Sequence, residues 1–124
     1  MSDITALDGA VMHIDDDSVV LVTGGLGSTS VRGPGPADIS TREDAAVLVA
    51  RLRLKTPLAR LTRPDGSPVW IKGGAVSLVR KPLPGDVPPG GRVGAVLFVA
   101  GDHQAVAEDV DAVRTSLNAH GANV

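Results

Sequence analysis

Residues Asp65 to Val79 repeat residues Asp8 to Val22 at a constant offset of 57, without a gap. Six of the fifteen positions are identical: Asp8/Asp65, Gly9/Gly66, Ile14/Ile71, Val19/Val76, Leu21/Leu78 and Val22/Val79. The identities fall on an Asp-Gly pair and on the apolar runs around it, the positions that shape a hairpin. Self-similarity of this kind restricts the chain to folding one supersecondary unit twice. Farther on the offset becomes 65, which relates Glu108, Asp109 and Leu117 to Glu43, Asp44 and Leu52. The eight extra residues are assigned to Pro82 to Gly91, which holds four Pro and three Gly and reads as an extended surface loop.

The expected order within each half is several strands and then one helix. In the first half, Ile4 to Leu7 and Ala10 to Ile14 flank Asp8-Gly9, read as a two-residue type I′ turn. Asp15-Asp16-Asp17 reads as a solvated turn, Ser18 to Thr23 as a β-branched strand, and Ser28 to Arg32 as another. Gly33-Pro34-Gly35-Pro36 can continue neither a helix nor a central strand. Ser40-Thr41-Arg42-Glu43 has capping-box spacing, and Ala45, Leu48, Val49 and Leu52 then form one apolar helical face. In the second half, strands are expected at 58–62, 69–71, 75–81 and 93–100, with a short segment at 104–106. Asp109 is the expected cap of a final helix that turns Val110, Val113 and Leu117 inward, with Gly121 just past its end.

The core must be aliphatic, because Trp70 and Phe98 are the only aromatic residues. Such a core gains less burial per residue than an aromatic one, which favours help from a second subunit. Under the 57-residue offset Trp70 corresponds to His13. In alternating strands these two lie opposite Val69/Ile71 and Met12/Ile14, so both strand faces need cover. His13, Val20, Val22, Trp70 and Val79 are therefore the candidate interface residues.

Charge is divided along the chain. Residues 1–44 carry a net −6, residues 45–100 a net +7 and residues 101–124 a net −3, within an overall −2. Arg51, Arg53, Lys55, Arg60 and Arg63 form a cationic run with no acid between them. They are candidates for contact with an anion or with an acidic partner face, although a solvated linker explains them at least as well. Net negative charge disfavours general nucleic-acid binding.

The familiar catalytic patterns do not develop. Gly24-Gly25-Leu26-Gly27-Ser28-Thr29 has Gly27 where a phosphate loop needs Lys. Asp15-Asp16-Asp17 opens like a calcium loop, but Val20 and Leu26 occupy the positions that need Gly and Glu. His13, His103 and His120 lack zinc-site spacing, and the absence of Cys removes disulfides and thiolate ligands. No catalytic residue, cofactor or metal is expected. The first residues show no signal-peptide pattern, and no apolar run approaches the ~20 residues of a membrane helix. A soluble cytoplasmic protein is expected.

Leu61-Thr62-Arg63, Gly66, Val69 to Ile71, Val76 to Val79, Gly101-Asp102 and Val106-Ala107-Glu108 follow one another in an order that resembles the FlbD family of small flagellar-operon, or swarming motility, proteins. The resemblance covers roughly residues 58–118 and implies a non-enzymatic cytoplasmic protein tied to motility or regulation. It supplies no catalytic residues. The chain departs from that pattern in having two units, in placing Lys72 where Asn is usual, and in its longer 82–91 loop.

The expectation is thus an α+β fold: a duplicated unit of antiparallel strands followed by one helix, spanning 1–54 and 55–124, packed with pseudo-twofold symmetry. The expected function is that of a non-catalytic regulatory or assembly protein acting as a homo-oligomer, a dimer or trimer. A nucleic-acid-binding module using residues 51–63 and a phage-like or particle structural subunit are the alternatives.

Overall fold

The computed structural model describes residues 2–25, 27–35, 37–86, 92–99 and 101–124. Strands β1 (Ser2–Thr5) and β2 (Val11–Ile14) form an antiparallel hairpin. The turn is wider than the two-residue type I′ expected. Gly9, at φ +90°, donates to the Ala6 carbonyl, while Ala6 N donates to Ala10 O and Asp8 Oδ1 accepts the Ala10 amide. One residue of positive φ suffices here, and glycine supplies it without steric cost. The same bonds recur in the hairpin of β6 (Ala59–Thr62) and β7 (Pro68–Ile71). There Gly66, at φ +91°, donates to Arg63 O, Arg63 N donates to Ser67 O, and Asp65 Oδ1 accepts Ser67 N. Register agrees as well: Ser2 faces Ile14, and Ala59 faces Ile71, each position 57 residues after its counterpart.

Each hairpin leads through a 3₁₀ turn, Asp16–Ser18 or Gly73–Ala75, into a three-stranded meander. The first is β3 (Leu21–Gly24), β4 (Thr29–Arg32) and β5 (Ile39–Thr41). The second is β8 (Val76–Arg80), β9 (Ala95–Val99) and β10 (Asp102–Val106). Helices α1 (Ala45–Arg51) and α2 (Val110–Asn118) follow. Asp109 Oδ1 accepts the Ala112 amide at 2.8 Å and caps α2, as expected. In α1 the cap is Asp44, whose Oδ2 accepts Val47 N, and not Ser40. Ser40 and Thr41 belong to β5, whose pairing with β4 takes the residues that the capping-box reading had placed at the helix start. The 82–91 loop begins with a 3₁₀ turn at Pro84–Asp86, and its residues 87–91 lie outside the described ones.

β5-β4-β3-β7-β6 make one five-stranded antiparallel sheet; β10-β9-β8 form another, and the hairpin β1-β2 touches β5 through an antiparallel bridge between Ala6 and Thr41. Alternation gives the central sheet two working faces. Ile39, Val31, Val22 and Trp70 share one face and pack with Ile4 and Ile14 of the first hairpin and with Ala45, Leu48 and Leu52 of the α1 segment. Leu21, Ile71, Ala59, Val69 and Leu61 share the other and pack with Leu97, Val99 and Val106 and with Val113 and Leu117 of α2. Two small aliphatic cores therefore lie on opposite sides of β3 and β7. Each fully buried aliphatic side chain in them contributes roughly 1.5–3 kcal/mol.

The two halves differ at one instructive point. α2 reaches Asn118, whereas α1 stops at Arg51, two residues short of the equivalent position. The long helix needs room: a Cβ on Gly73 would lie 2.5 Å from the His120 carbonyl. At the matching position stands Asp16, and its Oδ2 accepts the Arg53 amide at 2.6 Å just beyond the shorter helix.

Candidate functional site

The two halves meet along β3 and β7. Leu21 faces Ile71, Val22 faces Trp70 and Thr23 faces Val69. The Lys72 amide extends the ladder to Val20 O at 2.9 Å, and Lys72 Nζ reaches Asp17 O at 2.7 Å. Val22 is fully buried, Trp70 is 8% exposed, and Val20 packs partly buried on the second core. These three candidate interface residues are covered from within the chain: Trp70 and Val20 pack on the core of the opposite half, and Val22 packs in the core of its own half beside Trp70. A second sheet provides the cover that the two-faced strands required.

The strands offset by 57 are placed differently. Positions 12–14 of β2 match 69–71 of β7, and positions 78–80 of β8 match 21–23 of β3. Among the described residues β2 pairs only with β1, and β8 only with β9, around a bulge between Val76 and Leu78. Leu78 is 46% exposed where its counterpart Leu21 is 8%, and Met12 is 38% exposed where its counterpart Val69 is fully buried. Val11 is exposed beside Met12. His13, the counterpart of Trp70, stands in solvent with Nδ1 donating to Asp3 Oδ1 at 2.6 Å. Val79 packs partly buried against the second core.

The cationic run disperses over the surface. Arg51 Nε and Nη2 hold the Glu43 carboxylate at 2.7 and 2.8 Å, and Nη2 also reaches Asp3 O. The Glu43 hydrogen bonds raise its pKa above the ordinary arginine value against the opposing effect of burial. Arg60 lies 5.9 Å over the Trp70 ring, a cation–π distance. Lys55 has its amide on Asp17 Oδ1 and its ammonium 3.9 Å from Asp17 Oδ2. Arg53 contributes its backbone amide to Asp16, and Arg63 borders a small polar hollow with Arg32, Asp102 and His103. Adjacent in sequence, these cations have different neighbours: Glu43 for Arg51, the Trp70 ring for Arg60 and Asp17 for Lys55.

Asp15-Asp16-Asp17 is not the solvated turn expected. Asp15 accepts the Asp17 amide and caps the 3₁₀ turn, and Asp16 is buried, accepting from Ser2 Oγ and Arg53 N, both at 2.6 Å. Burial raises the Asp16 pKa, but those hydrogen bonds outweigh it and hold the carboxyl below the usual range. The three histidines are separate: His13 on Asp3, His103 edge-on to Phe98, and His120 on the Ser116 carbonyl. Among the described residues no group of three His, Cys, Asp or Glu could hold a metal ion.

Gly24, Gly25 and Gly27, which connect β3 to β4, line a cleft of about 620 Å³ with the start of α1. Asp65, Ser67 and Trp70 close its far side. Glu43, Asp44 and Asp65 stand there against the single cation Arg42, a poor setting for phosphate. Among the described residues no helix is long and apolar enough to cross a membrane. No family model matches the chain, and neither the curated proteins nor the solved structures yield a match.

Sequence reasoning missed the contrast between the two strand pairs. Its signal was present in the Trp70/His13 correspondence, where one of the matched positions carries a large apolar ring and the other a polar one.

Proposed function

We propose that this chain is a non-catalytic assembly protein, built from two copies of one β-β-3₁₀-β-β-β-α unit, that works as a homo-oligomer. The duplication is supported by the common hairpin registers, by the matching turn bonds at Gly9 and Gly66, and by helix caps at Asp44 and Asp109. A strict pseudo-twofold is not supported, because it would pair β8 with β2 as β3 pairs with β7, and only the latter pairing is present among the described residues.

The observation that carries the assembly reading is the pair of strands, β2 and β8, that leave apolar side chains in solvent where their counterparts are buried. An edge of this kind is a template for another chain. The resemblance to flagellar-operon proteins is compatible with such a role and contributes nothing to the argument from geometry. The nucleic-acid reading has less support, since Arg51 and Arg60 are engaged with Glu43 and Trp70. Light scattering across the micromolar range tests the proposal. A mass that is a multiple of 12.6 kDa is expected, with a melting temperature that rises with concentration. A mass of one chain throughout, with a concentration-independent melt, refutes it.

A further inference from the structure

We infer that β8 of one copy pairs antiparallel with β2 of a second copy, setting Leu78 opposite Ile14 and Val79 opposite His13. The inference rests on the oligomer reading above and adds which strands meet and in what register.

The chain shows the geometry of such a joint in its own interior. Leu21 opposite Ile71 and Val22 opposite Trp70 become, 57 residues later on β3 and 57 earlier on β7, Leu78 opposite Ile14 and Val79 opposite His13. In the internal joint Leu21 crosses to the core of the other half beside Ile71 and Val69. The same geometry carries Leu78 to Ile14 and Met12 of the second copy. That contact covers two of the large apolar side chains now exposed.

Backbone polarity agrees. The Lys72 amide bonds Val20 O, so the alternate amide of Trp70 faces β3, and the corresponding amides on β2 are those of Asp15 and His13. Ala10 accepts from Ala6, which sets Met12 and Ile14 toward β1 and leaves Val11 and His13 pointing away from it. If each copy offers its β8 to the other's β2, both of these edges close in one twofold dimer and neither is left to propagate.

The absence of Cys makes the register directly testable. Two proteins, His13→Cys and Val79→Cys, are mixed and oxidised. Opposed residues in an antiparallel pair lie about 5.5 Å apart at Cα, inside the range a disulfide spans. A disulfide-linked pair is expected from the mixture, and much less from His13→Cys mixed with Ser77→Cys, which stands two residues out of register. His13→Pro removes an amide that the hairpin ladder does not use and is expected to weaken association about tenfold or more while the far-UV spectrum is kept. Should that variant unfold, Leu78→Lys on the exposed edge of β8 serves the same purpose.

A wild-type monomer at all concentrations overturns both this inference and the assembly reading. An oligomer that does not cross-link through 13 and 79 and is indifferent to His13→Pro and Leu78→Lys overturns the inference alone. So does a His13→Cys/Val79→Cys double variant that closes its disulfide within one chain at high dilution, because the seam then belongs to a single copy.

Discussion

Replacing Asp16 by Ala tests whether a buried carboxylate ties the amino-terminal strand to the end of α1. The carboxylate takes two donors, Ser2 Oγ and Arg53 N, each at 2.6 Å, and the residue is only 3% exposed. Hydrogen bonds to a charged group are worth about 1.5–3 kcal/mol each, and relief of the carboxylate's desolvation returns part of that. The net expectation is a loss of about 2–4 kcal/mol at neutral pH. With a urea slope of about 2 kcal/mol per M, the midpoint falls by about 1–2 M. Asp16→Asn, which keeps a neutral acceptor, should lose less. The pH dependence gives a second reading. Hydrogen bonding lowers the folded-state pKa of Asp16 below its ordinary value despite burial. Its stabilisation is therefore complete above the unfolded value, near 3.9, and disappears as pH falls through the lower folded value. The gap between wild type and Asp16→Asn should close in acid. Denaturation of the three proteins at neutral and acid pH measures this directly. A loss under about 0.5 kcal/mol for Asp16→Ala, or a gap that widens in acid, refutes the reasoning.

Trp70→Ala opens a cavity between the central sheet and the first core and also removes the ring under Arg60; a loss of about 3–5 kcal/mol is expected by far-UV circular dichroism in urea, and one below about 1 kcal/mol would contradict the placement. Gly33→Ala combines φ +124° with a Cβ 2.0 Å from the Ser18 carbonyl, whereas Gly35→Ala has positive φ but open space. Thermal melts should show the first variant failing to fold or losing more than about 3 kcal/mol and the second losing about 1–2 kcal/mol, so equal losses would remove the steric argument.

Local chemistry made much of this fold legible in one dimension. The Asp-Gly turns, the β-branched runs and the Asp109 cap are short-range devices, and the 57-residue offset carried hairpin register from one half to the other. Short-range competition also explains the misplaced helix start. Ser40 and Glu43 have capping spacing, but the pairing of Ile39–Thr41 with β4 is a tertiary contact that spacing alone does not display. The same holds for Asp16, whose partners are 14 and 37 residues away, and for Arg60, whose charge says nothing of the ring beneath it.

What the sequence determined by itself is the α+β class, the order of elements apart from β5, and the need to cover both faces of the strands around Val22 and Trp70. Only tertiary structure decided what covers them. Two strands with nearly the same alternation, β3 and β8, end in different surroundings: one is central to a five-stranded sheet and the other stands at an edge. The physical reason is that alternation records which side chains are apolar, whereas pairing depends on which amides and carbonyls reach each other in space. In this chain that choice left Leu21 in a core and Leu78 in water.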